Sequence, residues 1–260
     1  LVGSEMCIRD RQKRKKPGDI IVCFYGSNNK TACDMNADCT VIEPSIGYTS
    51  SAVFAPYKVF TSNAHMHMYY GEKNMLMSPS WFDAVIPNSF TISEFEYSED
   101  KEDYFLYFGR VIQTKGIDLC IQATERLGKK LIIAGAGSLF DLGYTKIPEH
   151  VTVLGRIESA EQRNLLMKKA TALLGPTYYV EPFGNMVIEA NLCGTPVITT
   201  DWGGFTETVV NGKTGFRIRD FKQMLDAMDK VKYLKPLDCR AHGLKYDDKS
   251  IHDLHDQYLQ

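Results

Sequence analysis

The sequence predicts an α/β protein built on parallel sheets, and three observations predict it. Short apolar runs rich in β-branched residues recur along the chain, among them Asp19–Tyr25 and Lys130–Ala134, each the length of a strand buried on both faces. From residue 104 onward such runs alternate with helix-length segments, the pattern of βαβ units with right-handed crossovers. Glycines stand directly behind two of the strands, at Gly109 and Gly135, where a strand must turn into a loop. The bulk composition agrees. Lys and Arg number 30 against 32 Asp and Glu, a net charge of −2, which excludes a strongly basic nucleic-acid binder. With 44% hydrophobic and 24% charged residues the 260-residue chain is globular rather than disordered. No apolar run approaches the ~18–20 residues that span a bilayer. The length accommodates one large domain or two modest ones.

The first elements are sparse. Leu1–Arg11 shows neither periodicity nor turn logic, resembles sequencing-adapter read-through, and is set aside with the rest of a 1–16 leader. Lys13, Arg14, Lys15 and Lys16 read as a solvated charge run. Cys39–Glu43 is a second strand, stopped by Pro44, and Val53–Thr61 is broken by Pro56. Asn63–Tyr70 is a half-exposed helix carrying His65 and His67, with no metal site expected from that pair alone. Phe82–Ile86 is a third strand. Residues 88–103, with Glu94, Glu96, Glu99, Asp100, Glu102 and Asp103, read as a solvated acidic linker and a domain boundary near residue 90.

The remaining elements follow one another closely. Strands are expected at Tyr104–Phe108, Lys130–Ala134, Val151–Leu154, Ala172–Pro176, Pro196–Thr200 and Gly215–Ile218. Helices are expected at Gly116–Leu127, Ala160–Ala170, Asn185–Cys193 and Phe221–Leu234, and Phe205–Val210 starts a helical turn. Leu237–Gln260 reads as a helix crossing back to the first lobe. Of the seven cysteines, none forms a CxxC pair, so a reduced cytosolic setting is expected, with Cys23, Cys120 and Cys193 as core residues.

Ligands of such sheets bind at the carboxyl ends of the strands. Three loops there carry chemistry. Gly109-Arg110 with Lys115 offers a fork and a point charge to one anion. Gly135-Ala136-Gly137 has the position to open a helix toward an anion, yet fails as a dinucleotide fingerprint because Phe140 stands where the third glycine belongs. The richest is Glu181-Pro182-Phe183-Gly184-Asn185-Met186-Val187-Ile188-Glu189. Its carboxylates flank a helix start, roughly 9–12 Å apart along the element, too far for paired glycosidase carboxylates on one bond. Between them the amides of Phe183, Gly184 and Asn185 are placed for phosphate oxygens.

This Glu-x7-Glu loop, followed by Ala190–Ile198, resembles the retaining glycosyltransferases of family 4, of GT-B fold. Gly109-Arg110…Lys115-Gly116, Leu131–Gly137, Gly203-Gly204…Glu207 and Asn211-Gly212…Thr214-Gly215 resemble the same family in the same order. The resemblance covers residues 87–218, with Pro87-Asn88 similar to the interdomain hinge. It implies a GT-B-like chain: a partial acceptor-side α/β lobe over 17–89, a complete Rossmann-like donor lobe over 90–235, and a helical tail over 236–260. It further implies transfer of a sugar from a nucleoside-diphosphate sugar to an acceptor hydroxyl with retained configuration. In that reading Arg110 and Lys115 hold the diphosphate, Glu181 contacts the sugar, and Glu189 binds the ribose. Gly109, Gly135 and Gly137 line the donor, Arg156 and Ile157 lie beside the base, and Phe183, Gly184 and Asn185 offer amides to sugar and phosphate. No cofactor and no metal is implied. The implied partners are a nucleotide-sugar donor and a glycan, lipid or small-molecule acceptor, with peripheral membrane contact compatible and nucleic acid excluded; the implied location is the cytoplasm. The glycine-rich first loop and the catalytic-side histidine of the first lobe are not identifiable, so the chain is expected to be an N-terminally truncated copy that binds donor without efficient transfer. Glu43–Tyr48 is the candidate for lining the cleft. The alternatives are a non-catalytic nucleotide-sugar-binding module, a nucleotide-sugar epimerase of the same architecture, and a phosphorylase, for which no cofactor-lysine motif is present.

Overall fold

A computed structural model of the chain describes residues 14–16, 18–36, 38–75 and 77–260. The leader Leu1–Arg11, with Cys7, and Lys13 of the basic run lie outside the described residues. The chain divides into two compact units: residues up to Asn88 together with Leu254–Gln260, and Ser89–Asp253.

The first unit contains β1 (Ile20–Val22), α1 (Lys30–Asp34), β2 (Thr40–Ile46), β3 (Tyr57–Phe60), α2 (Asn63–Glu72) and β4 (Ala84–Val85). The strands form one parallel sheet in the order β1-β2-β3-β4. Both prolines act differently from expectation. β2 runs through Pro44, where the register to β3 shifts between Glu43 and Ile46 and Ser45 takes a φ of 54°. A bulge needs no ladder donor from the proline, so the strand survives it. Pro56 precedes β3 instead of breaking it. β1 is shorter than the apolar run that predicts it, and it is an edge strand: Ile20 and Val22 are 44% and 48% exposed, not buried on both faces.

Of the segment Glu43–Tyr48, expected to line a ligand cleft, Glu43 itself is turned inward. Its carboxylate is fully buried and accepts from the Tyr48 hydroxyl (2.5 Å) and the amides of Phe54 (3.0 Å) and Ala55 (2.9 Å). It ties β2 to the following loop and spends its lone pairs there. His65 likewise is no half-exposed helix residue. It is buried, its amide donates to the capping Ser62 hydroxyl, and its Nδ1 lies 3.0 Å from the Ile46 carbonyl. His67 is exposed on the other side of α2.

The second unit carries β5 (Tyr104–Phe108), α3 (Ile117–Arg126), β6 (Lys130–Ala134), β7 (Val151–Gly155), α4 (Ala160–Lys169), β8 (Ala172–Gly175), α5 (Asn185–Leu192), β9 (Val197–Thr200), α6 (Phe205–Thr208), β10 (Gly215–Ile218), α7 (Phe221–Lys230), α8 (Pro236–Gly243) and α9 (Asp248–Leu259), whose last residues group with the first unit. Its six strands are all parallel, in the order β10-β9-β8-β5-β6-β7. Alternation along β5 explains the two-layer core. Phe105 and Tyr107 pack with Ile117, Ile121 and Met224 of α3 and α7, while Tyr104 and Leu106 pack with Met167, Ile188 and Leu192 of α4 and α5. Each such aliphatic side chain contributes about 1.5–3 kcal/mol by leaving water.

Two readings of this half change. Residues 88–103 are no solvated linker. Phe90 and Phe95 are buried, Glu96 pairs with Lys168, Asp100 pairs with Lys169, and Asn164 donates to the Glu94 carbonyl at 2.6 Å. The acidic charges meet the cations of α4, and two aromatic anchors hold the segment down. Residues 237–260 are two helices, not one. α8 packs on α5 so closely that a Cβ on Gly243 would stand 2.9 Å from Leu192, and Arg240 donates to the carbonyls of Leu192 and Phe95.

Candidate functional site

The order of the second sheet fixes where a site can form. From β5 the chain moves outward to β6 and β7, then returns to β8 and moves the other way through β9 to β10. The direction reverses between β5 and β8, which are hydrogen-bonded neighbours. Loops leaving the carboxyl ends of two such strands diverge to opposite sides of the sheet and open a crevice. The loop after β5 carries Arg110 and Lys115; the loop after β8 carries Glu181.

These loops meet. Lys115 Nζ lies 2.7 Å from Glu181 Oε2 in a half-buried ion pair. Gly116, at φ 68°, starts α3 with no room for a side chain: a Cβ would stand 1.8 Å from the Pro176 carbonyl oxygen. The Tyr178 amide donates to the Thr114 carbonyl at 2.8 Å, closing the same seam. Glycine is thus required where the two loops cross.

Tyr179 completes the pair and is the residue that motif reading missed. Its hydroxyl donates to Glu181 Oε2 at 2.7 Å, and Lys115 Nζ lies 4.9 Å from its ring centroid. Burial, and then the Glu181 carboxylate, hold the phenol above its ordinary range, so it stays a donor. Both donors converge on Oε2, while Oε1 takes no hydrogen bond among the described residues. One carboxylate oxygen is therefore fixed and the other is open to a ligand hydroxyl. The backbone of Glu181 is held from behind, where the Gly204 amide donates to the Glu181 carbonyl at 2.7 Å and Trp202 Nε1 donates to the Tyr179 carbonyl at 2.9 Å.

Arg110 is exposed and forms no ion pair among the described residues; its charge acts on Tyr107 and Tyr179, which places it beside the same cluster. The N-terminus of α5 also opens here. Phe183 is buried and Gly184 takes φ 84° against Phe205, while the amides of both donate to no backbone acceptor among the described residues. Asn185 is exposed at the helix start.

Glu189 stands one turn further along α5, half-buried, and its side chain forms no hydrogen bond or ion pair among the described residues. Burial pushes its carboxyl up; the nearby Arg163 opposes this and Glu94 adds to it. An acid kept short of partners in an apolar helix is costly unless something else satisfies it.

The other candidates are placed differently. Gly135 and Gly137 open no helix: β6 is followed by a short 3-10 turn at Phe140–Leu142. Their glycines serve packing, since a Cβ on Gly135 would stand 1.7 Å from the Gly109 carbonyl oxygen, and the Gly135 amide is taken by the Gly155 carbonyl at 2.7 Å. Gly109 is the other side of that contact. Arg156 and Ile157 follow β7, the edge strand two positions from β5; Arg156 pairs with Glu158 at 2.8 Å on the surface and Ile157 packs against the core. No cluster of three or more His, Cys, Asp or Glu among the described residues is arranged to hold a metal, and no described helix is long and apolar enough to cross a membrane. The six described cysteines are free, and Cys23, Cys120 and Cys193 are buried.

The comparisons with known proteins match this half of the chain. The profile described as glycosyl transferases group 1 matches residues 89–242. The chain is 37% identical over 120 residues to the glycogen synthase of Mycobacterium tuberculosis, covering 42% of this chain and 28% of that protein. It is 30% identical over 151 residues to the capsular polysaccharide biosynthesis glycosyltransferase CapM of Staphylococcus aureus, covering 53% of this chain and 39% of that protein. The matched segments thus span well under half of these relatives. Among solved structures, Anabaena HepE in complex with UDP and glucose superposes with a TM-score of 0.76 at 17% identity, over 100% of this chain and 83% of that one. Sucrose-phosphate synthase from Thermosynechococcus elongatus gives 0.74 at 19%, over 97% and 75%. These likenesses show the fold, an α/β fold with parallel sheets of the GT-B type. With the profile covering more than half of its length, the chain belongs to the glycosyl transferases group 1 family.

Proposed function

We propose that the second unit binds a nucleoside-diphosphate sugar and that the protein transfers the sugar to an acceptor hydroxyl with retention of configuration, as family 4 enzymes do. The observation that carries this reading is the Lys115–Glu181–Tyr179 cluster at the point where the sheet reverses direction. Solved relatives by fold hold UDP, with glucose in one case, which supports a nucleotide-sugar ligand.

In this reading Lys115 and Arg110 meet the diphosphate. Charge develops on the leaving diphosphate in the transition state, and the two cations with the amides of Phe183 and Gly184 stabilise it there. No cofactor and no metal has a part in that step. Glu181 Oε1 accepts from the sugar, with Oε2 fixed by Lys115 and Tyr179. Glu189 accepts from the ribose hydroxyls, and the loop after β7 at Arg156–Ile157 faces the base. Loss of one cation costs on the order of 3 kcal/mol, roughly a hundredfold in rate.

Calorimetry with UDP-, GDP- and ADP-glucose tests the reading. One donor is expected to bind, with Lys115→Ala and Glu189→Ala each weakening it at least about tenfold. Binding that survives Glu189→Ala unchanged, or no binding by any donor, overturns the assignment of this site.

A further inference from the structure

The segment leaving β9 is fastened to the loop leaving β8 by a ladder whose rungs stand two residues apart on each side. Thr200 Oγ1 donates to the Thr177 carbonyl at 3.0 Å, Trp202 Nε1 to the Tyr179 carbonyl at 2.9 Å, and the Gly204 amide to the Glu181 carbonyl at 2.7 Å. β8 and β9 are parallel neighbours, so the rungs prolong their pairing beyond the carboxyl ends of the strands. Two glycines let the segments lie this close. A Cβ on Gly203 would stand 2.7 Å from the Glu181 carbonyl oxygen, and one on Gly204 would stand 2.6 Å from the Pro182 carbonyl oxygen.

The rungs differ in what they hold. Thr200 and Thr177 are both buried, so the first belongs to the core of the sheet. The third runs from backbone to backbone. The middle rung hangs on a partly exposed side chain, and it ends on the residue whose hydroxyl fixes Glu181 Oε2 at 2.7 Å. The Tyr179 carbonyl accepts a second bond from Thr177 Oγ1 at 3.1 Å, so both of its lone pairs are taken. Indole carries one donor in a rigid plane and sets the direction of that carbonyl as well as its distance. A phenol reaches its partner through two torsions, so where its hydroxyl falls depends on where its backbone is held.

We infer that Trp202 is a positioning residue for the sugar contact of the donor site proposed above, on which this role rests. Through the Tyr179 carbonyl it keeps the phenol on Glu181 Oε2, and so sets where Oε1 meets a sugar hydroxyl. Trp202 touches no reacting atom in this role. A nucleoside diphosphate without its sugar makes no use of Oε1 and does not sense the rung.

Trp202→Phe keeps an aromatic ring and removes the N–H donor, and two measurements read the result. On the ligand-free chain, hydrogen exchange of the Gly204 amide, which donates to the neighbouring rung, is expected to quicken about fivefold, the worth of one hydrogen bond, while the amides of β6 exchange as before. Unchanged exchange at Gly204, or faster exchange throughout the sheet, overturns the inference. Calorimetry with UDP-, GDP- and ADP-glucose is the second. The variant is expected to weaken the donor that binds about fivefold and the matching nucleoside diphosphate less than about twofold. In a Tyr179→Phe background the same change is expected to cost less than about twofold, because Trp202 acts through that hydroxyl. Unchanged donor affinity, equal weakening of donor and nucleoside diphosphate, or an undiminished effect in the Tyr179→Phe background overturns the inference and leaves the proposed function standing. Failure of the unaltered chain to bind any donor overturns the proposed function and the sugar-positioning role together.

Discussion

Glu43 of the first unit and Glu181 and Glu189 of the second differ in how their carboxylates are used. In the first unit Glu43 is saturated: three donors from its own neighbourhood take both oxygens. Lys58 and Asp83 pair inside the same unit, and the Tyr70 hydroxyl adds a 3.0 Å bond to Asp83. Among the described residues of the second unit, Glu181 keeps one oxygen without a hydrogen bond and Glu189 keeps both. A satisfied carboxylate holds structure; one with open lone pairs at the carboxyl end of a parallel sheet has acceptors to spare, which the proposed function uses. Burial and hydrogen bonding run together here: Glu43 is fully buried with both oxygens bonded, whereas Glu181 and Glu189 are half-buried.

The largest effect expected from breaking this contrast comes from the glycines. Gly116→Ala forces a Cβ into the Pro176 carbonyl at a positive φ, whereas Gly71→Ala in the first unit meets nothing within 4 Å. Chemical denaturation should show a loss of about 3 kcal/mol or more for the first and within about 0.5 kcal/mol for the second. Comparable losses would mean that the seam between the two loops is not tight. Next, Glu43→Ala strands three donors inside the first unit and should cost about 2–3 kcal/mol by the same measurement. Glu189→Ala strands none and should leave stability within about 1 kcal/mol. A reversed order would erase the distinction between the two units.

A smaller effect sharpens the site itself. Tyr179→Phe removes one of the two donors on Glu181 Oε2 but leaves the ring under Lys115. Under the proposed function it should weaken a sugar nucleotide by about 1 kcal/mol, roughly fivefold, while the free nucleoside diphosphate binds as before. Equal weakening of both would place Tyr179 on the diphosphate instead. The smallest effect is shared by both units. Burial holds His65 and His242 below the ordinary histidine range. The unfolded chain therefore binds more protons as pH falls through about 6.5, so their contribution is complete above that value and is lost below it. Melting temperature should drop between pH 7.5 and 5.5, and His65→Gln and His242→Gln should each flatten part of that slope.

The strands of the second unit were legible because each is a short apolar run that parallel pairing buries on both faces, and Lys115, Glu181 and Gly116 stand in recognisable order behind them. Tyr179 was not legible. Nothing in Thr177–Val180 distinguishes its phenol from that of Tyr178; one meets Glu181 and the other does not, because of how the loop after β8 turns. Asp100 and Glu96 misled for the mirror reason. A charge run reads as solvated until the cations of α4 are placed beside it, and no local pattern announces those cations. β1 misled because an apolar run looks alike in the centre and at the edge of a sheet.

What the amino-acid order determined was the sequence of strands and helices, since residue periodicity and glycine positions are local properties that the backbone must obey. The return of the chain from β7 to β8 beside β5 was a decision of the tertiary structure, as was the choice of which carboxylate oxygens stay open. Those depend on partners far away along the chain, such as Lys115 and Glu181 or Lys101 and Thr195, and only packing brings such groups within bonding distance.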